Sequence, residues 1–373
     1  NGIPATLSIG LGLSSEAYSQ SYNYARVAID LALARGGDQA VIKDCNGITY
    51  YGGKRDQTSR NTRVKARVKA EALREFITVK DKIFVMGHQL TDVDSFGAAI
   101  GIYRAANALE KRAYIVINEV SASLKPLYTA YENNPDYPER LFLNSAEALE
   151  LADESSMVVV VDTNRPGMTE CEELLHVAKT IVVLDHHRQS SDNIDNALLS
   201  YIEPYASSAC EMVSEVLQYI VDDIKIPNLE ASSLYAGIMI DTNNFMNKTG
   251  VRTFEAAAFL RRSGADITLV RKMFRDDMES YRAKAQIISS AEVYHNKYAI
   301  ARGENLTIES PTIIGAQAAN ELLDINEVKA SFVLTTYNGR IYVSARSIDE
   351  VNVQIIMERL GGGGHMNASG AQF

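Results

Sequence analysis

At 373 residues with a hydrophobic fraction of 46%, the chain is long enough for two or three folded domains. A net charge of -10 and a pI near 5.2 argue against long duplex nucleic acid as the main partner, which needs a strongly basic field, but leave room for a small phosphate ligand held by a metal. Cys45, Cys171 and Cys210 show no paired spacing and read as buried thiols of a reducing compartment, and neither a membrane-spanning apolar stretch nor a signal peptide is visible.

Residues 1–53 read as strand, helix and hairpin. The strand is expected at 6–13. Residues 22–35 have helical apolar spacing through Ala25, Ala28, Ile29 and Leu33, with a stop at Gly36-Gly37. Apolar runs at 40–42 and 48–51 flank Asn46-Gly47, a strong hairpin signal. Residues 54–74 carry Lys54, Arg55, Arg60, Arg63, Lys65, Arg67 and Lys69 and read as a basic linker helix with a solvated face, in preference to a nucleic-acid patch. Residues 75–265 alternate apolar runs with helical patterns and form one α/β domain. Residues 266–295 read as a helical connector through Val270, Met273, Phe274, Met278, Tyr281 and Ala285. In 296–373 a strand at 298–301, a helix at 315–323, a hairpin around Asn338-Gly339 and a helix carrying Val353, Ile356, Met357 and Leu360 lead into four glycines, 361–364, and His365. The chain has no initiator Met and opens on Ile3-Pro4-Ala5-Thr6 as if inside a domain, so sequence upstream, and a short segment downstream, is expected.

Chemistry concentrates in acidic and histidine clusters that each come after an apolar run. The run 83–86 leads into Gly87-His88-Gln89-Leu90-Thr91-Asp92-Val93-Asp94. The run 157–161 leads into Asp162-Thr163-Asn164, 181–184 into Asp185-His186-His187-Arg188, and 236–240 into Asp241. Such runs read as strands buried on both faces of a parallel sheet, whose ends on one edge are neighbours. Strands would thus deliver carboxylates and imidazoles to one spot. Carboxylates so close resist ionising together, and a divalent metal pair would relieve the repulsion.

Carboxylate plus imidazole ligation suits a borderline-hard ion such as manganese. Two metals roughly 3.5–4 Å apart can clamp a phosphodiester and activate a water for in-line attack. The His88-Asp92-Asp94 loop could feed both, with Asp162, alone on its strand end, as the bridge. A lone Asp after a strand is also an ordinary helix cap, but capping does not call for His88, His186 and His187. His176 and His295 have no partners in this pattern. The glycines 361–364 fit either a flexible spacer or a backbone nest approaching a phosphate or base. Arg346, with Ser344 and Ser347, fits an anion contact or an ordinary exposed arginine.

Together the His88-x-x-x-Asp92-x-Asp94, Asp162, Asp185-His186-His187 and Asp241 motifs resemble the DHH phosphoesterase superfamily, and the glycine run with His365-x-x-Ala368-x-Gly370 resembles its DHHA1 domain. Thr91 stands where the family often has Pro; since position 91 supplies no ligand, the exchange reads as harmless. Residues 1–53, through Leu7-Ser8-Ile9-Gly10 and Ala34-Arg35-Gly36-Gly37-Asp38-Gln39, are similar to the C-terminal half of a degenerate GGDEF-like domain. The resemblance implies an α/β fold: a parallel-sheet DHH catalytic domain (75–265), a helical connector (266–295) and a smaller α+β DHHA1 substrate-binding domain (296–373), preceded by the partial GGDEF-like α/β segment. The domain order is similar to the membrane-anchored bacterial cyclic-di-AMP phosphodiesterases, in which membrane helices and a sensor precede such a fragment at the cytoplasmic face. It implies hydrolysis of cyclic di-AMP to linear pApA with two manganese ions, by a homodimer, with no long nucleic acid as partner and no membrane contact by this fragment. One metal would take His88, Asp92 and Asp162; the other Asp94, Asp162, His186 and Asp241. His187 and Arg188 would touch the scissile phosphate, with Asp162 also counted among the catalytic residues. Arg346, Ser347, Gly362, Gly363, Gly364 and His365 would hold the rest of the nucleotide, with the glycine run as one wall of a cleft.

Two other functions share these motifs. A nanoRNase- or RecJ-like exonuclease of short oligonucleotides would use the same chemistry on another substrate. A degenerate module that only senses nucleotide would be expected to have lost a ligand, and none is lost here.

Overall fold

In the computed structural model, residues 7–14, 17–34, 39–45, 47–52, 55–187, 189, 192–275, 277–303, 308, 311–337, 339–348 and 351–373 are described. The chain divides into two compact units, Asn1–Phe274 and Arg275–Phe373. The first unit opens with β1 (Ile9–Gly12), α1 (Tyr18–Ala34), β2 (Gln39–Asp44) and β3 (Gly47–Gly52). β1 pairs in parallel with β2, and β2 forms the expected hairpin with β3. The expected helix stop at Gly36-Gly37 and the turn residue Asn46 lie outside the described residues, and Cys45, expected to be buried, is exposed because it sits at the turn after β2; Cys171 and Cys210 are buried.

The helix α2 (Arg55–Thr78) runs past residue 74 and is not merely a solvated connector. Ala66, Ala70, Leu73 and Ile77 recur at helical spacing and are buried. Among its basic residues, Arg63 pairs with Glu255, Lys65 with Glu203 and Arg67 with Glu71.

The core of this unit is a six-stranded sheet with every strand parallel, as expected. Its members are β4 (Lys82–Met86), β5 (Arg112–Val116), β6 (Phe142–Leu143), β7 (Met157–Val161), β8 (Thr180–Asp185) and β9 (Leu199–Ile202), in the order β6-β5-β4-β7-β8-β9. The chain runs outward from β4 through β5 to β6, then returns to the other side of β4. The β4/β7 boundary is therefore the point where strand order reverses, and ligands of open parallel sheets collect at such points. Between the strands lie α3 (Val93–Ala108), α4 (Lys125–Glu132), α5 (Ser145–Leu151) and α6 (Leu174–Val177). After the sheet come α7 (Ala209–Ile220), α8 (Asn228–Asp241), α9 (Val251–Arg262) and α10 (Ile267–Met273).

The run 236–240, expected as a strand, instead forms the last turns of α8, and Asp241 is the final residue of that helix. A short apolar run cannot be told from a buried helix by periodicity alone. The deciding residues lie upstream: Pro227 precedes the helix, and Ala231, Ser232, Ser233, Leu234 and Tyr235 continue it, all buried. Helix α8 lies against α3 and α7. At Gly237 a Cβ would stand 2.4 Å from Cys210 Sγ and 2.9 Å from Asp94 Oδ1, so glycine is the residue that lets α8 approach so closely.

In the second unit the expected connector is not helical throughout. α11 (Met278–Ser289) ends before β10 (Glu292–Tyr294), an edge strand paired antiparallel with β11 (Tyr298–Gly303). Then come α12 (Pro311–Leu322), β12 (Ala330–Tyr337), β13 (Arg340–Ser347), α13 (Val353–Arg359), β14 (Gly363–His365) and β15 (Ala368–Gln372). The sheet order is β10-β11-β12-β13-β15-β14, parallel only between β11 and β12. Asn338 of the second predicted hairpin lies outside the described residues; Gly339 there has φ +74°, which the turn requires.

Candidate metal centre

Three neighbouring strands end at one place. β4 delivers His88, β7 delivers Asp162 and β8 delivers His186. Because β7 is the middle strand, Asp162 lies between the two histidines. His88 Nε2 is 3.5 Å from Asp162 Oδ2, and His186 Nε2 is 3.2 Å from Asp162 Oδ1. His88 Nε2 also lies 3.6 Å from Asp92 Oδ2. His186 Nε2 lies 3.9 Å from Asp94 Oδ2 and 3.6 Å from Asp241 Oδ2. Three triplets, His88-Asp92-Asp162, Asp94-His186-Asp241 and Asp162-His186-His187, each bring their ligand atoms within 4.8 Å of one another. All six sequence-predicted ligands therefore converge.

Local structure positions each of them. Asp92 is the N-cap of α3, its Oδ1 accepting from the Asp94 and Ser95 amides. Asp94 is wholly buried and accepts from the Ala209 amide at 2.7 Å and the Cys210 amide at 2.9 Å, at the N-terminus of α7, where a negative charge is favoured. Asp162 caps no described helix. It has φ +60°, a left-handed conformation that Asp tolerates better than most residues.

Electrostatics show a cluster short of positive charge. Burial, then the charge of Asp162, pushes Asp94 up to about 7. Burial, with Asp94, Asp92 and Asp162 nearby, holds the Asp241 carboxyl well above the usual range. Burial works to lower both histidines, yet the facing carboxylates outweigh it, raising His88 to about 10 and His186 to about 9. Burial of Asp162 opposes its ionisation, but the facing His186 and His88 imidazoles bring it down to about 2. Protons thus do what a divalent cation would do, and metal uptake must release them. Asp162 Oδ1 is buried and, among the described residues, has no well-aligned hydrogen-bond donor; its nearest neighbour is His186 Nε2 at 3.2 Å. A cation held by that oxygen would satisfy it. The nitrogen and oxygen donors, with no thiolate among them, fit hard or borderline divalent ions.

His187 differs from its neighbours. Its side chain is 46% exposed, against 6% for His186. Nδ1 lies 2.8 Å from Asp185 Oδ1, and the His187 amide donates to the same oxygen at 3.0 Å. Asn164 donates to the other Asp185 oxygen. With Nδ1 held by a buried carboxylate, Nε2 is the nitrogen left to face a ligand. Asp185 and Asn164 fall within the sequence motifs, but no local signal distinguishes a carboxylate that orients a histidine from one that ligates. Arg188 lies outside the described residues. His176 sits in α6, and His295 comes just after β10 with φ +50°; neither joins the cluster.

In the second unit a depression of about 280 Å³ is lined by Ser344, Arg346, Gly363, Gly364, Ala368, Ser369 and Gly370. Burial lowers the Arg346 pKa, and its guanidinium donates to the Ala345 carbonyl at 2.9 Å. Ser347 lies on the opposite face of β13, buried, with a 3.4 Å contact to the Met366 carbonyl. Strand alternation places Ser344 and Arg346 together and Ser347 away from them, a signal present in the sequence. Gly361 turns the chain with φ +79°, and at Gly362 a Cβ would stand 2.0 Å from the Gly370 carbonyl. Gly363 has neither constraint: a Cβ there meets open space. The backbone of His365 belongs to β14, and its side chain is outside the described part of the structure.

Residues 82–238 match the DHH family, N-terminal domain, and residues 306–373 match the DHHA1 domain. The chain belongs to the DHH family. Two curated relatives are similar along the whole length of this chain. Cyclic-di-AMP phosphodiesterase PdeA of Listeria monocytogenes serotype 1/2a (strain 10403S) is 42% identical over 375 residues, covering 100% of this chain and 57% of that protein. Cyclic-di-AMP phosphodiesterase GdpP of Bacillus subtilis (strain 168) is 41% identical over 378 residues, covering 100% of this chain and 57% of that protein. The chain thus spans little more than half the length of these relatives. Among solved structures, an exopolyphosphatase-related protein from Bacteroides fragilis superposes with a TM-score of 0.68 at 21% identity, over 82% of this chain and 91% of that one, a likeness of fold.

Proposed function

We propose that this chain is a metal-dependent phosphodiesterase that hydrolyses cyclic di-AMP to linear 5′-pApA. The observation that carries the reading is the pair of ligand triplets joined through Asp162 and His186. The whole-length likeness to cyclic-di-AMP phosphodiesterases supports the substrate. His88, Asp92 and Asp162 would hold one ion, and Asp94, Asp162, His186 and Asp241 the other, with manganese proposed from the donor set. Such a pair, when bound, neutralises phosphate charge and acidifies a water. Asp185 keeps the His187 ring oriented, so that Nε2 can hydrogen-bond a phosphate oxygen. Arg346 supplies a cation with no carboxylate partner among the described residues, suited to an anionic nucleotide. No described helix is long and apolar enough to cross a membrane; membrane anchoring through segments outside this chain, and a homodimeric state, are part of the same proposal and rest on the family resemblance.

The test is manganese-dependent turnover of cyclic di-AMP, cyclic di-GMP, pApA and short RNA side by side, with products identified. Cyclic di-AMP is expected to be cut fastest, giving 5′-phosphate and 3′-hydroxyl ends. Efficient cleavage of short RNA with poor cleavage of cyclic di-AMP would establish the oligonucleotide reading instead, and nucleotide binding without cleavage would establish a sensor.

Gly363 offers a separate check. Since the fold alone does not require glycine there, Gly363→Val should leave the melting temperature of the metal-free chain unchanged. If backbone N–H groups approach the nucleotide at this point, the same change should raise KM about 10-fold or more, the loss of about 1.4 kcal/mol of binding, while metal affinity stays constant. An unchanged KM would remove Gly363 from the binding surface.

A further inference from the structure

The loop between β4 and α3 carries His88 and Asp92, yet it has no regular structure of its own. Leu90 at its tip is exposed. Ligands on a loop need outside support, because a ligand set works only when held to within about 0.5 Å. The support here comes from residues 168–170. The Gln89 amide donates to the Met168 carbonyl at 2.8 Å, the Glu170 amide donates to the Gly87 carbonyl at 3.0 Å, and His88 and Thr169 form an isolated β-bridge.

Side chains complete the clamp. Thr91 is 3% exposed, and its hydroxyl donates to Glu170 Oε1 at 2.7 Å. The other carboxylate oxygen accepts from Asn118 Nδ2 at 2.6 Å and from the Asn118 amide at 3.3 Å. Asn118 Oδ1 in turn accepts from the Ser145 amide at 2.9 Å, at the start of α5. Glu170 is 6% exposed, and these donors to its carboxylate are all neutral. A buried carboxylate held by neutral donors is costly to keep, so its hydrogen bonds must all be made at once. It therefore fixes Thr91 relative to β5 and α5, and with Thr91 the two flanking ligands.

We propose that Glu170, acting through Thr91, is the positioning residue for the His88–Asp92 half of the metal centre. This rests on the two-metal reading of the site. Position 91 supplies no ligand, but its hydroxyl makes the bond that a proline could not.

The experiment titrates the whole chain with Mn2+ alone by calorimetry and measures melting without metal, for wild type, Thr91→Val, Thr91→Ser, Glu170→Ala and the Thr91→Val/Glu170→Ala pair. Thr91→Val keeps the side-chain shape and loses only the donor. It is expected to weaken one of two Mn2+ binding events about 10–100-fold, the usual effect of losing support behind a ligand, and to leave the other event and the metal-free melting temperature unchanged. Thr91→Ser should bind as wild type. The double variant should lose less than the sum of the two single losses, because Thr91 and Glu170 share a hydrogen bond. Turnover of Thr91→Val should show lower kcat at constant KM. Equal weakening of both events, or a fall in metal-free melting temperature that tracks the loss of metal, would reduce Glu170 to a structural role and overturn the proposal. So would wild-type binding by both Thr91→Val and Glu170→Ala. A wild-type chain that binds no Mn2+ pair would overturn the functional reading and this inference together; pair binding untouched by the variants overturns this inference alone.

Discussion

Asp162→Ala is expected to abolish turnover and to remove high-affinity binding at both metal positions. Asp162 faces His88 with one oxygen and His186 with the other, so its loss opens the His88-Asp92-Asp162 triplet and takes away the oxygen that faces His186 of the Asp94-His186-Asp241 triplet. Deleting one preorganised electrostatic group in an active site typically costs about 10²–10³ in kcat, and a group shared by two ions should cost more. The fold should survive. Asp162 caps no described helix, so the cost to the fold is the strain of one alanine at φ +60° and the loss of the contacts with His88 and His186. Asp162→Asn is the matched control, because Asn tolerates the left-handed conformation and keeps the volume. Calorimetric titration with Mn2+ and a thermal melt of the metal-free chain check both parts. Two metals bound at wild-type affinity by either variant would sink the bridging role.

His187→Ala is expected to lower kcat by about 10²–10³ while both metals remain bound. Nδ1 is engaged by Asp185 at 2.8 Å, which leaves Nε2 for a phosphate oxygen, and the ring is far more exposed than that of His186. Asp185→Asn should fall in the same direction by a smaller factor, because the ring loses its fixed orientation but is still present. Mn2+ titration of His187→Ala distinguishes this from ligation: a lost or weakened metal would make His187 a ligand, as its proximity to Asp162 at 3.7 Å would allow. An unchanged kcat would remove it from the chemistry.

Much of the site is legible in the sequence because its signals are local. A run such as 157–161, buried at every position, fits a strand covered on both faces, and the residues after such a strand lie at a sheet edge. His88, Asp92 and Asp94 fall within one loop and the first turn after it, so their spacing alone brings them together. The hairpin at Gly339 and the parallel pairing of β4, β7 and β8 arise from equally local patterns.

Other features depend on contacts between residues far apart in the chain, and short-range periodicity carries no record of these. Asp241 ends a helix because α8 packs on α3 and α7, and its apolar run has the same pattern as a strand. Asp162 is central because β7 lies between β4 and β8, an order set by how the helices cross the sheet and not by any residue in β7. The orientation of His187 depends on a pair of hydrogen bonds linking Asn164, Asp185 and the ring across adjacent strands. Thr91 reads as neutral in the sequence for the same reason: its partner is Glu170, whose own partner is Asn118, and only the folded chain brings these segments into hydrogen-bond range. Residue types and spacing determined which chemistry this chain could perform. Packing of distant segments decided which atoms face one another, because a buried polar group is specified by the partner that satisfies it.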